Sequence, residues 1–386
     1  MTRFTLALLI SLFSFAAQGA TIVPSPPQVA AKAYFLIDAT SGTVLVEHNA
    51  DIALPPASLT KMMTSYVLAG EIAAGRVNDS DMVVVSRNSW SQNPEFNGSS
   101  LMWIEPGMDV SISDLKRGII ISSGNDATVA VAEHLAGSVS AFADMMNGHA
   151  EALGMTGSYF ANPHGLPHPD HVTTARDLAT LAIALINRYP EEYAVYKERE
   201  FTYNNIKQYN RNTLMGEDPS VDGLKTGYTK EAGYGLVASA KRRDMRLVSV
   251  VLGTKSPNAR KSESRSLLNY GFRFFETVTY FSPMEELEKP RIWKGQQDYL
   301  SLGVQDALVF TLQRGKKKSL NTVVEMDKEI SAPIVLGDQL GTVKLMLDGE
   351  VVAQAPLVAL EAVEPGNFFA RLWDMILMWI ASLFSA

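Results

Sequence analysis

Near residue 280 the hydropathy pattern of this chain changes period, and that change constrains the architecture more than any other feature. Residues 21 to about 280 mix helical and strand signals. Residues 283–366 instead carry short alternating or β-branched runs at 301–304, 308–312, 322–326, 333–336, 341–347 and 351–358. Turn sequences such as Gln313-Arg314-Gly315, Leu336-Gly337-Asp338 and Leu347-Asp348-Gly349-Glu350 separate them. The expected fold is therefore an α/β (α+β) domain over 21–280, a sheet flanked by helices, followed by a small all-β sandwich over 283–366. The Pro-containing polar stretch 280–289 lies between them. The basic run Lys316-Lys317-Lys318 reads as a solvated hairpin tip.

Composition removes several function classes. Lys and Arg number 34 against 41 Asp and Glu, a net charge of −7, the wrong sign for a protein that must neutralise phosphates, so no nucleic-acid partner is expected. With no cysteine there is no disulfide framework, no thiolate metal cluster and no Cys nucleophile.

Both ends carry membrane signals. Met1-Thr2-Arg3, the apolar run 4–15 and the small-residue exit Ala16-Ala17-Gln18-Gly19-Ala20 read as a secretory signal peptide over 1–20, leaving a mature chain from near Thr21. An apolar run of about twelve residues is too short for a span, which needs about twenty. At the other end, Arg371 and Asp374 interrupt the apolar segment 367–386. A helical wheel gathers Asn367, Arg371, Asp374, Met378, Ser382 and Ser385 on one side and leaves Phe368, Phe369, Leu372, Trp373, Ile376, Trp379 and Ile380 on the wide remaining face. Such a helix is expected to lie in a bilayer interface as an amphipathic anchor; the alternative is a helix docked on its own domain.

Within 21–280 three polar constellations stand out. The first follows a hairpin (33–38 and 42–47 around Ala39-Thr40-Ser41-Gly42) and Pro55-Pro56, where a helix is predicted over 57–74 before Gly75. It carries Ser58-Leu59-Thr60-Lys61. A spacing of three puts hydroxyl and amine on one face, where a desolvated, neutral lysine takes the serine proton and makes it a nucleophile. Leu59, Met62, Met63 and Tyr66 fall on the core side. The same pattern recurs at Ser113-Asp114-Leu115-Lys116, where Ser113 reads as an ordinary N-cap.

The second constellation is Ser123-Gly124-Asn125, which ends the apolar run 119–121 and opens a helix over 127–136 closed by Gly137. Other Ser-x-Asn strings begin at Ser86, Ser91, Ser256 and Ser319, but only this one lies between two apolar runs. As an alternative, Asn125 or Asp126 serves merely as an N-cap. The third is Lys225-Thr226-Gly227-Tyr228, on a strand predicted beside the alternating runs 234–240 and 245–254. A lysine and a threonine hydroxyl suit a carboxylate, and Gly227 admits a substrate backbone against the strand.

Ser-x-x-Lys, Ser-x-Asn and Lys-Thr-Gly in this order resemble the serine penicillin-recognising enzymes. The stretches ASLTKMMT from Ala57, SSGNDA from Ser122, VDGLKTG from Val221 and GFRFFET from Gly271 resemble low-molecular-mass penicillin-binding proteins, the D-alanyl-D-alanine carboxypeptidases of the S11 peptidase family. The likeness extends through the β-rich part to the terminal helix. It implies a cofactor-free serine carboxypeptidase that removes D-alanine from peptidoglycan pentapeptides, is acylated by β-lactam antibiotics, and works at the periplasmic face of the inner membrane. Residues 367–386 would touch that membrane surface, and self-association is left open.

Carried over residue by residue, the resemblance makes Ser58 the nucleophile and Lys61 the base, with Ser123 and Asn125 completing the proton network. Lys225, Thr226 and Gly227 would bind the terminal carboxylate side, and the backbone N–H groups of Ser58 and Tyr228 would form an oxyanion hole. Arg211 and Arg260 match family arginines near the cleft. Many relatives carry His where this chain has Tyr228, which bears on substrate preference and deacylation. Serine β-lactamases share the three elements but usually have Asp between the Ser and Asn, where Gly124 stands here. A zinc site built from His164, His168 and His171 lacks helical spacing, so no metal is expected. A non-catalytic peptidoglycan-binding module would not need Ser58 and Lys61 together.

Overall fold

The computed structural model of the chain describes residues 23–384, so the signal peptide read at 1–20 lies outside the described residues. The hairpin Ala33–Asp38 and Val44–His48 forms as its alternation predicts, and it joins strands from far along the chain. The resulting antiparallel sheet runs in the order Val44–His48, Ala33–Asp38, Met245–Thr254, Gly233–Arg242, Val221–Thr229. Its central strands are buried on both faces, which is why Met245–Thr254 reads as a nearly continuous apolar run. Val248, Val250 and Leu252 face a large helical core, while Leu247 and Val251 face Leu267 and Leu268 of the helix Pro257–Phe274. The helices of 61–188 are inserted between the hairpin and the last three strands. The edge strand Val221–Thr229 is left facing them, with the cleft between.

Three local readings shift. The helix expected over 57–74 is a 3₁₀ turn, Ala57–Thr60, running into the α-helix Lys61–Ala73. The N-cap before Leu115 is Ser111, which accepts from the Asp114 N–H; Ser113 lies inside the helix Ile112–Arg117 and accepts from Arg117. The run 333–336 forms no strand: Ile334 makes a single bridge to Val363, while Val335 and Leu336 are exposed beside a cis Ala332-Pro333 bond.

The C-terminal part is a five-stranded sheet facing a pair of strands, Phe275–Phe281 with Leu308–Gln313. Val278, Phe281, Phe310 and Leu312 pack against Val343 and Leu345 across the gap. Residues 275–280, read as the end of the first domain, thus pack with the second. In the turn Asp348-Gly349 both residues have positive φ, which suits a two-residue hairpin. The buried Asp38 carboxylate links the two parts, accepting from the Thr277 and Thr311 hydroxyls.

The helix Phe368–Phe384 leaves the β part at Gly366, whose N–H donates to Lys294 O. Asp374, expected on the free polar face, instead accepts from the Lys294 N–H at 2.5 Å and lies 3.5 Å from Arg291. The helix therefore touches its domain with polar residues, while Phe368, Phe369 and Trp373 stay exposed. Among the described residues, no helix is long and apolar enough to cross a membrane.

Candidate active site

The site begins with a strained turn. Ala57 has φ +51, a left-handed conformation that alanine rarely adopts, and Gly165 of a neighbouring loop holds it there. A Cβ on Gly165 would sit 1.8 Å from Ala57 O, so only glycine lets the loop approach so closely. In the 3₁₀ turn that follows, side chains three apart eclipse, and Lys61 Nζ stands 3.2 Å from Ser58 Oγ.

Lys61 is fully buried and donates to Asn125 Oδ1 at 2.6 Å and to His164 O at 2.8 Å. No carboxylate among the described residues pairs with it. Burial, opposed by the charge of Asp126 and reinforced by that of Arg211, pushes its pKa down to about 7. A neutral amine has two N–H bonds and one lone pair. With both N–H groups committed to neutral oxygens, the lone pair is left for the Ser58 hydroxyl.

The loop bearing Ser123 is made by a π-helical turn, Gly118–Ser122, which tightens into Ser123 at φ 60, ψ 33. Its two polar side chains serve different lysines: Asn125 accepts from Lys61, and Ser123 Oγ accepts from Lys225 Nζ at 2.9 Å. Lys225 is 3% exposed. Its burial, with the charges of Lys61, Arg211 and Arg260 around it, holds the amine well below its ordinary pKa. The strand Val221–Thr229 that carries it runs close to the nucleophile, since a Cβ on Gly227 would meet Pro56 O at 2.9 Å and Leu59 N at 3.2 Å.

Ser58, Ser123, Asn125, Arg211, Thr226, Gly227, Tyr228 and Arg260 line one cleft of about 300 Å³, with Lys61 and Lys225 directly behind it. Burial lowers the pKa of both arginines, Arg260 to about 10. Tyr228 stands half exposed at the rim. The other Ser-x-x-Lys pair lies elsewhere, with Lys116 neutralised by Asp79 and Glu192.

Of the histidines weighed as zinc ligands, His171 and His164 hold the loop. His171 Nε2 shares a hydrogen bond with Thr60 Oγ1 at 2.8 Å, and the His164 ring packs edge-on to Phe96. Burial lowers them to about 4 and about 3, so neither is charged at neutral pH and the 3.7 Å approach of His164 to Glu95 is not an ion pair. Among the described residues no group of three potential ligands converges on one point.

Two contributors escape sequence reasoning. The His164 carbonyl fixes Lys61, and a backbone carbonyl has no sequence signature beyond the glycine that follows it. Asp126, readable only as a cap, does accept from the Ala127 N–H but also gathers the N–H groups of Met102, Trp103 and Ile104. It thereby ties the segment following the cleft residues Gly98, Ser99 and Ser100 to the Ser123 loop, and burial raises its pKa. This also accounts for Gly124: a Cβ there would lie 2.7 Å from Asp126 Oδ1 and 2.9 Å from Met102 N.

Comparison with known proteins agrees with this geometry. Residues 20–256 match the family model described as D-alanyl-D-alanine carboxypeptidase, and 275–365 match the C-terminal domain of penicillin-binding protein 5. D-alanyl-D-alanine carboxypeptidase DacC of Escherichia coli strain K12 is 46% identical over 381 residues, covering 97% of this chain and 95% of the relative. DacA of the same organism is 45% identical over 92% of this chain and 89% of its own. The crystal structure of penicillin-binding protein 5 from Haemophilus influenzae superposes with a TM-score of 0.84 at 41% identity, covering 88% of this chain and 99% of that one.

Proposed function

This chain belongs to the D-alanyl-D-alanine carboxypeptidase family, and from that premise we propose how its own residues carry a serine-type carboxypeptidase reaction on peptidoglycan pentapeptides. The observation that carries the reading is the buried Lys61 amine, lowered to about 7, standing 3.2 Å from Ser58 Oγ. Ser58 Oγ attacks the carbonyl between the two terminal D-alanines while its proton passes to Lys61. The C–N bond then breaks, the proton goes to the departing D-alanine amine, and the peptide remains as an ester on Ser58. Water cleaves that ester and restores the hydroxyl.

Arg211 and Arg260 bring positive charge to the end of the cleft suited to the terminal carboxylate, where Lys225 and Thr226 supply hydrogen-bond donors, while Asn125 holds Lys61 and Ser123 holds Lys225. The Ser58 and Tyr228 N–H groups serve as the oxyanion hole. A β-lactam presents a strained amide and a carboxylate to the same groups, so it acylates Ser58.

Residues 1–20 act as an export signal, 21–274 carry catalysis and 275–366 form the β domain that follows. The helix 367–386 holds the enzyme at the periplasmic face of the inner membrane, supported by the aromatic side chains it leaves exposed. Mass spectrometry of the intact protein with penicillin tests the chemistry: one adduct at Ser58, none in Ser58→Ala. A label on Ser113 would overturn the assignment, and loss of D-alanine release in EDTA with recovery on zinc would return the site to His164, His168 and His171.

A further inference from the structure

Arg260 is a mostly buried cation at the cleft that pairs with no carboxylate among the described residues. Two kinds of contact hold it instead. Its Nη1 donates to Gly227 O at 3.1 Å, and its guanidinium carbon lies 5.6 Å from the centre of the Tyr234 ring. Tyr234 is the cross-strand partner of Tyr228, and the two rings stack with centroids 4.1 Å apart at 24°. The backbone beneath is tied down: Thr254 Oγ1 donates to Tyr234 O, and Ser256 caps the helix whose first turn bears Arg260.

We propose that Tyr234 is a positioning residue for substrate recognition: its ring contacts both the Arg260 guanidinium and the Tyr228 ring, aiming the arginine at the carboxylate end of the cleft. The inference rests on the proposed carboxypeptidase reading. An aromatic face attracts a cation without neutralising it, whereas an acidic partner would cancel the charge that an anionic ligand needs. The phenol hydroxyl takes no part in this account, so the ring alone does the holding. Tyr228, half exposed, extends the platform to the rim.

The test compares acylation by benzylpenicillin with acylation by its methyl ester, which lacks the carboxylate, in wild type, Tyr234→Leu, Tyr234→Phe, Arg260→Gln and the double variant Tyr234→Leu/Arg260→Gln. Tyr234→Leu should slow acylation by benzylpenicillin about tenfold, mainly through weaker binding, while Tyr234→Phe retains most of the wild-type rate. With the methyl ester, Tyr234→Leu and wild type should differ little. The double variant should be no slower than Arg260→Gln, because both substitutions remove one interaction. Equal losses on the acid and the ester, multiplicative losses in the double variant, or a Tyr234→Phe as impaired as Tyr234→Leu would overturn the proposal. Failure of wild type to take any label at Ser58 would instead overturn the reaction on which it rests.

Discussion

In the cleft, Lys61 and Lys225 are 0% and 3% exposed without a paired carboxylate among the described residues; at the C-terminus, Phe369 and Trp373 are 80% and 62% exposed. The two regions depart from ordinary burial in opposite senses. Burying an amine is costly unless surrounding groups over-determine it, and here Asn125, His164 O and Ser123 do so. Exposing an aromatic face costs contact with water unless another phase covers it. Each departure fits the proposed reading, in which the cleft takes an anionic peptide end and the helix meets an apolar surface. The β part between them is built conventionally, with apolar strands facing inward and ion pairs such as Lys344 with Glu325 at its surface.

The comparison breaks most sharply at the nucleophile. Ser58→Ala should lower D-alanine release by at least about a thousandfold, measured on a peptide ending in D-Ala-D-Ala, while leaving membrane association intact. A variant retaining a tenth of the activity would show that the buried lysines serve something else.

The protonation of Lys61 gives the next largest effect. The base must be neutral to accept the Ser58 proton, so kcat/KM should fall below a pH of about 7 and approach a tenfold loss per unit further down. The charged or titratable groups around it are Asp126, Arg211, Lys225, His164 and His171, and the two histidines are already neutral there. A profile flat from pH 5 to pH 8 would rule out Lys61 as the base.

Gly124→Ala probes how the Ser123 loop is held. The added Cβ collides with Asp126 Oδ1 and the Met102 N–H, and thermal unfolding should report a loss of about 1–3 kcal/mol together with slower acylation. A melting temperature equal to wild type would show that the rim yields freely.

Truncation after Glu364 should have the smallest effect on chemistry. The helix touches Arg291 and Lys294 of the β part, far along the chain from Ser58, so hydrolysis of a soluble peptide should stay within about twofold of full length. Only the truncated form should leave the membrane fraction. If it stays there, or loses activity, the opposition between the two regions collapses and a helix docked on its own domain replaces it.

Local readings were legible where a feature depends on neighbours in sequence. The hairpin at 33–48, the alternation of 233–254 and the close spacing of Ser58 and Lys61 follow from period and turn chemistry. The run 333–336 misleads because Ile334, Val335 and Leu336 look β-forming, yet Ile334 makes only a single bridge to Val363 and the other two stay exposed. Ser113 reads as a cap in the sequence, but Ser111, two residues earlier, satisfies the same pattern and takes that place. Asp374, read on the polar face of the terminal helix, contacts its own domain because Lys294 presents an N–H there.

Short segments of the chain already carry the chemistry and its order: a serine three residues before a lysine, a polar loop opening a helix, and a lysine on a glycine-bearing strand. These are properties of short segments, and periodicity, capping and composition act over short segments. Packing alone sets the His164 carbonyl against Lys61 from 103 residues away, gathers the N–H groups of Met102, Trp103 and Ile104 on Asp126, and brings Arg260 over the Tyr234 ring. The physical reason is that these partners are backbone groups, ring faces and distant side chains, whose roles depend on how the chain is packed and not on which residue stands next to them.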